Sequence, residues 1–342
     1  MTVKQITHCI KKAAALSLAT GILFSQMASA DDTITIGYQG MMNPWKAVIA
    51  EKQLEKATGK DIEWRRFDSG AKVITAMASG DIDIATAGSS PIAAAVNRGL
   101  EIELVWILEN INEAEALVVR DGSGIMAPQD LKGKKLGVPF VSTTHFHALF
   151  ALEQFGLSDD DVKLINMQPN AIAAAWERGD IDGAFIWDPV LGRIKDSGRV
   201  LITSGELSNW GKATFDGMVV DKTFGQENPE FVAQLIKLIA DADETYRTTK
   251  DSLTADTPMI KEIAEMTGGN ANDVAGVLAL YQFPDLKAQT SCVWLGCGAE
   301  GGAAKALQFT SEFLKEQGKV PSLADDYSVF VNASFAEAAS KL

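Results

Sequence analysis

The chain has 342 residues, 45 of them acidic against 31 basic, for a net charge of −14, and 46% of its side chains are hydrophobic. So acidic a balance excludes a nucleic-acid partner, which needs basic patches to neutralise phosphates. The length suggests about two domains and a sizeable core, and past the N-terminus no segment approaches the ~20 apolar residues that span a bilayer.

Residues 1–30 read as a secretory signal peptide: Lys4, Lys11 and Lys12 form a positive start, Ala13 to Phe24 is apolar or small, and Met27-Ala28-Ser29-Ala30 supplies a cleavage site before Asp31. The expected mature protein is exported, soluble and periplasmic. Losing the three lysines leaves 28 basic residues against 45 acidic ones, a net charge of −17.

Thr33 to Tyr38 alternates polar and apolar side chains and predicts the first strand. Pro44 opens a helix expected to run through Lys56, and Asp61 to Phe67 reads as the second strand. Ser69-Gly70 precedes a helix that leads into Gly80-Asp81-Ile82-Asp83, a short apolar strand, and then Ser89-Ser90-Pro91. Ile102 to Leu108 is another strand, and Ala116 to Val119 is expected to cross into a second lobe.

Lys135 to Pro139 begins that lobe's own sheet, followed by Ser142-Thr143-Thr144, a helix through Phe155, and a strand over Val162 to Asn166. The earlier phrase then returns as Gly179-Asp180-Ile181-Asp182, running on through Phe185 to Trp187-Asp188-Pro189. Met218 to Asp221 is expected to cross back. Helices follow over Pro229 to Thr248, Pro258 to Met266, Ala271 to Tyr281 and Ala303 to Gln317.

Strand, helix, strand in each half predicts an α/β fold. Two related lobes are expected, each a mostly parallel sheet with helices on both faces, with a ligand cleft between them. The boundaries are 31–115 plus 218–342 for the discontinuous first lobe and 116–217 for the second, and two crossings allow a hinge.

Ligands in open α/β sheets bind beyond the carboxyl ends of the strands. Ser89-Ser90 and Ser142-Thr143-Thr144-His145 stand there at helix starts, where free N–H groups and the positive helix end favour an anion. Each is equally the residue type that merely caps a helix. Where the first repeat offers Ser89-Ser90 before its proline, the second offers Trp187-Asp188, which suits a cation through the carboxylate and the indole face. Asp188 could instead only cap its helix, with Trp187 in the core. Glu115 at the outward crossing and Asp216 at the return crossing are further candidates for a cationic end, and each is equally readable as a solvated hinge charge. Gln39 ends the first strand as a possible donor, and Trp45 either walls the cleft or packs in the core.

His145 and His147, the only histidines after the signal, are two apart on a helix and do not face the same way, which argues against a shared metal. No G-x-S-x-G elbow and no Gly-rich phosphate loop is present, so neither catalysis nor a cofactor is expected. Cys292 and Cys297 flank four residues, a spacing that predicts a local disulfide in an oxidising compartment.

The blocks Arg66-Phe67-Asp68-Ser69-Gly70, Gly88-Ser89-Ser90-Pro91, Ser142-Thr143-Thr144-His145, Arg178-Gly179-Asp180-Ile181-Asp182 and Phe313-Leu314-Lys315-Glu316-Gln317-Gly318 resemble the taurine branch of the periplasmic sulfonate, nitrate and taurine solute-binding proteins of ABC importers. That resemblance spans nearly the whole mature chain. It implies a monomeric two-lobed receptor of type II that closes on taurine or a related aminosulfonate and docks on a membrane permease. The Ser89-Ser90 and Ser142-Thr143-Thr144 helix starts would hold the sulfonate, and Asp188 or Asp216 the ammonium. A binder of another sulfonate or of aminoethylphosphonate is the first alternative, an enzyme of the thiamine-pyrimidine synthase type on this scaffold the next, and a sensory module for a membrane receptor a third.

Overall fold

The computed structural model describes residues 33–342, so the expected signal peptide lies outside the described residues. Ten strands form two sheets: β1 Ile34–Gln39, β2 Ile62–Phe67, β3 Ile84–Gly88, β4 Ile102–Asn110, β5 Glu115–Arg120, β6 Lys135–Val138, β7 Lys163–Asn166, β8 Gly183–Trp187, β9 Gly198–Thr203 and β10 Phe215–Asp221. The first sheet has the order β2-β1-β3-β10-β4 and the second β7-β6-β8-β5-β9. In the first, β10 runs antiparallel to both β3 and β4. In the second, β5 runs antiparallel to both β8 and β9. Every other strand of each sheet therefore runs one way. The two exceptions are the strands that arrive from the other sheet, so they start at the end where their neighbours finish.

The helices used below are α1 Lys46–Ala50, α2 Gln53–Thr58, α3 Gly70–Ala78, α4 Ser89–Val96, α5 Thr143–Gln154, α6 Pro169–Arg178, α7 Val190–Lys195 and α8 Ser204–Asn209. The single helix expected after Pro44 is two pieces, because Lys52 adopts a left-handed φ of 52° that breaks the hydrogen-bond ladder between α1 and α2. Pro169 opens its helix at the first position. Pro91 instead stands third in α4, and Pro189 caps α7 rather than beginning it. The strand β9 has no counterpart in the sequence reading.

Both copies of the repeated phrase do the same structural work. Gly80 and Gly179 take left-handed φ values of 80° and 75°, which closes the preceding helix as only glycine does without strain. Asp83 then accepts the Thr35 N–H at 2.7 Å, and Asp182 accepts the Lys135 N–H at 2.9 Å. Each carboxylate ties the start of its strand to the start of the neighbouring one, β1 or β6, and so fixes the register of its sheet.

A continuous apolar core surrounds the first sheet, and separate cores cover the faces of the second. The helix Gly302–Glu316 packs on α4 of the first lobe yet places Phe313 against Phe146, 4.9 Å between ring centroids, in the core of the second. Cys292 and Cys297 are bonded to each other. Their loop sets Trp294 edge-on to Phe215, 5.9 Å away, behind the start of β10.

Candidate functional site

The carboxyl ends of the parallel strands meet around one narrow cavity lined from both sheets. Gln39 at the end of β1, Gly88 at the end of β3 and Trp187 at the end of β8 face it. So do Glu115 and Asp216, which stand at the starts of the two crossing strands β5 and β10. Apolar walls come from Met41 and Ile111, and Tyr281 closes it with a buried phenol.

Three helix starts converge on this space. Gly70 begins α3, Gly88 precedes α4, and Ser142 caps α5 with Thr143 as its first residue. First-turn N–H groups have no intrahelical acceptor, and the aligned peptide dipoles make these ends positive. Ser69, Ser89 and Ser90, next to those positions, carry fully buried hydroxyls without a hydrogen-bond partner among the described residues. The Ser142 hydroxyl is committed to the fold: it accepts from the His145 N–H at 3.1 Å and meets Thr144 Oγ1 at 2.8 Å. What Ser142 offers the cavity is therefore its backbone.

Acidic groups occupy the same cavity. Glu115 is buried, and burial together with Asp216 pushes its carboxyl up to about 8 against the opposing contacts from Thr143 and Ser204. Asp216 is raised to about 7, chiefly by burial. Behind it Glu109 is raised well above the ordinary carboxylate range by burial and by Asp216. Glu109 Oε2 is a buried oxygen without a hydrogen-bond partner among the described residues. Glu109 Oε1 accepts from Asn43 at 3.2 Å, and Asn43 Oδ1 accepts from buried Lys46 at 3.0 Å.

Several candidates from the sequence stand elsewhere. Asp188 does not line the cavity: it precedes the cap residue Pro189, and its Oδ1 accepts the Gly192 N–H of the first turn of α7 at 3.0 Å. Trp45 is likewise outside. It packs against Tyr38 and Trp64, each with centroids 6.3 Å away, and Lys46 Nζ sits 3.9 Å over its ring. His145 stacks on Phe140 at 4.3 Å, and its Nδ1 accepts the Val141 N–H, holding a left-handed turn with φ 59° just before Ser142. Thr144 is buried against Ser142.

Sequence reading missed Tyr281, Met41, Ile111 and Gly70. Tyr281 comes from the third passage of the chain, far from either repeat, and no local pattern marks it. Among the described residues no cluster of His, Cys, Asp and Glu has the geometry of a metal site.

The family model for the substrate-binding domain of the ABC-type glycine betaine transport system matches residues 32–264. The chain is 37% identical to the taurine-binding periplasmic protein of Escherichia coli K12, over 94% of this chain and 98% of that one. Among solved structures it is similar to the alkanesulfonate-binding protein SsuA from Xanthomonas axonopodis pv. citri bound to MOPS. There the TM-score is 0.70 at 24% identity, over 90% of this chain and 99% of the other. It is also similar to the periplasmic aliphatic sulphonate binding protein SsuA from Escherichia coli, with a TM-score of 0.68 at 24% identity over 86% and 96% of the two chains. These likenesses identify the fold as the two-lobed fold of type II periplasmic binding proteins.

Proposed function

The chain belongs to the substrate-binding family of ABC-type importers, and from that premise we propose that it captures taurine or a close aminosulfonate in the periplasm and delivers it to a membrane permease. Export would follow from the signal over residues 1–30, and the family is one of binding proteins, not enzymes. The lobes are drawn at 31–115 with 218–342 and at 116–217; closing them buries the ligand, and the closed form is what the permease recognises.

One observation carries the choice of ligand: a single small cavity holds three helix starts and two buried acids. A plain sulfonate would leave Glu115 and Asp216 without a cation, and a plain amine would leave the helix starts without an anion. Taurine has both charges two methylenes apart. We assign its sulfonate to Gln39 and the helix starts at Gly70, Ser89-Ser90 and Ser142-Thr143. We assign its ammonium to Glu115 and Asp216, with Trp187 and Tyr281 supplying aromatic walls. Neither Asp188 nor Trp45 has a part in this assignment.

Thermal-shift and calorimetric titration of the mature protein against taurine, hypotaurine, 2-aminoethylphosphonate, ethanesulfonate and nitrate tests the reading. A ligand that binds only the native state raises the melting temperature by mass action. Taurine is expected to give a large shift and ethanesulfonate a small one. Equal shifts for both would remove the ammonium half of the site, and no shift with any of them would overturn the function.

A further inference from the structure

The hydroxyl of Ser204, the first residue of α8, lies between two groups that compete for its one hydrogen. On one side Glu115 Oε2 is 3.2 Å away, and on the other His147 Nδ1 is 2.7 Å away. The far ring nitrogen, Nε2, lies 2.7 Å from the carbonyl oxygen of Lys212. A carbonyl can only accept, so Nε2 carries a hydrogen. In a neutral imidazole Nδ1 is then an acceptor, and Ser204 must donate to it. The contact between Ser204 and Glu115 is filled only if the carboxyl carries a proton and donates it. Thr143 completes the chain by donating to Glu115 Oε1.

One other arrangement satisfies every contact, a His147 cation facing a Glu115 anion across Ser204. Both residues are buried, and an ion pair without water is costly. Burial lowers His147 to about 4 and raises Glu115 to about 8, so each group separately disfavours the charged form. The neutral chain is the ground state of the empty cavity.

We propose that His147, acting through Ser204, holds Glu115 as the neutral carboxylic acid in the empty cavity, and that an entering ligand ammonium displaces this proton to solvent. The inference rests on the ammonium site proposed above and adds proton linkage to it. His147 does not line the cavity and is a positioning residue. The charged group facing Glu115 is Asp216 from β10, which favours the proton until a cation arrives to attract both acids. Tyr281 faces the same acids as a neutral phenol. Glu113, in the turn before β5, packs on Gly205, and the Lys212 ammonium sits 5.9 Å from the rings of Phe150 and Phe313. Capture of an amine-bearing ligand then competes with a proton, while a ligand without the amine leaves Glu115 protonated.

Calorimetric titration of the mature protein at about pH 6.5, in two buffers of different ionisation enthalpy, counts the protons. Taurine is expected to release about one proton from Glu115, with up to about one more from Asp216, which is itself raised to about 7 and meets the same ammonium, and ethanesulfonate none. Taurine binding without release overturns the proposal. His147→Gln places an amide that can donate to Ser204 and turn its hydroxyl toward a preformed carboxylate. This variant is expected to release at most about half as many protons and to flatten the pH profile of taurine affinity between about pH 6 and 8. Unchanged release in a variant that still binds taurine also overturns it. If the native chain binds neither compound, the functional reading fails instead. The relay is then judged by the ¹⁵N spectrum of the empty native chain, where His147 must be the neutral Nε2–H tautomer; an Nδ1–H or doubly protonated ring refutes it.

Discussion

Glu115 and Asp216 occupy the same place in the two sheets. Asp216 pairs with Gly88 at the end of β3, and Glu115 pairs with Trp187 at the end of β8. Gly88 and Trp187 are themselves equivalent, each eight residues after the glycine of its repeat. A duplicated βαβ unit has thus set one acid at the mouth of each crossing strand, where both meet a ligand held between the lobes.

Replacing either acid should therefore cost affinity for the amine. Glu115→Gln and Asp216→Asn are each expected to weaken taurine binding by about 2 kcal/mol or more, roughly thirtyfold, as loss of one partner of a buried charge pair does. Ethanesulfonate affinity should change far less. Calorimetry with both ligands on both variants checks this, and equal losses for the two compounds would remove the acids from the ammonium site.

Asp188→Ala tests the contrary assignment. Its carboxylate caps α7 through Gly192, so the substitution should cost about 1 kcal/mol of stability. The ratio of taurine to ethanesulfonate affinity should stay where it is. A melting curve and the two titrations give both answers.

Gly88 ends β3 of the first sheet and Thr143 begins α5 beside the second, and the two nearly touch: a Cβ on Gly88 would lie 2.7 Å from Thr143 Cγ2 and 3.3 Å from Asp216 Oδ1. Gly88→Ala is expected to hold the lobes apart and weaken taurine binding at least about tenfold, about 1.4 kcal/mol, with the fold intact. Thr143→Ser keeps the hydroxyl that contacts Glu115 and removes the clashing methyl, so the double variant should recover part of the loss. Small-angle scattering with and without taurine reads the closure directly.

The pH dependence of stability follows from the same acids. An ordinary glutamate titrates near 4.3, whereas Glu115 in the fold titrates at about 8. The native chain keeps this proton where the unfolded chain has lost it. Its contribution is fully present below about pH 4.3 and is lost as pH rises to about 8. His145 and His147, both lowered to about 4 by burial, act oppositely between about pH 4 and 6.5. Above about pH 6.5 the histidines no longer contribute. There the melting temperature of the native chain should fall relative to that of Glu115→Gln up to about pH 8, with the contributions of Asp216 and of buried Lys46, both shifted to about 7, cancelling between the two. Parallel curves over that range would remove the raised pKa.

Removing the Cys292–Cys297 bond should cost about 2 kcal/mol, the chain-entropy value for so short a loop. The bonded loop positions Trp294 against Phe215, one residue before Asp216. Cys292→Ser with Cys297→Ser is accordingly expected to lower the melting temperature by several degrees and taurine affinity only modestly.

Much of this molecule is written in local patterns. The repeat Gly-Asp-Ile-Asp announced two halves, because a left-handed glycine that closes a helix acts on residues a few positions away, even though the carboxylate beside it ties a strand 47 or 48 positions distant. Helix starts at Ser89 and Ser142 were legible for the same reason, since Ser, Thr and Pro act within one turn. Cys292 and Cys297 could be paired from their spacing alone. The break at Lys52 was not legible, because a lysine in the left-handed region carries no mark of its own.

The identity of the acids in the cavity is a different kind of fact. Asp188, Glu115 and Asp216 are alike as side chains near strand ends, and their local sequences do not rank them. Their roles diverge because β5 and β10 enter their sheets from the cleft and turn Glu115 and Asp216 inward, while Asp188 finds the N–H groups of α7 within reach. Tyr281, and the chain from Glu115 through Ser204 to His147, join residues tens to more than a hundred positions apart. Such contacts come from packing between distant segments, which determines where a buried carboxyl finds its partners and whether it keeps its proton.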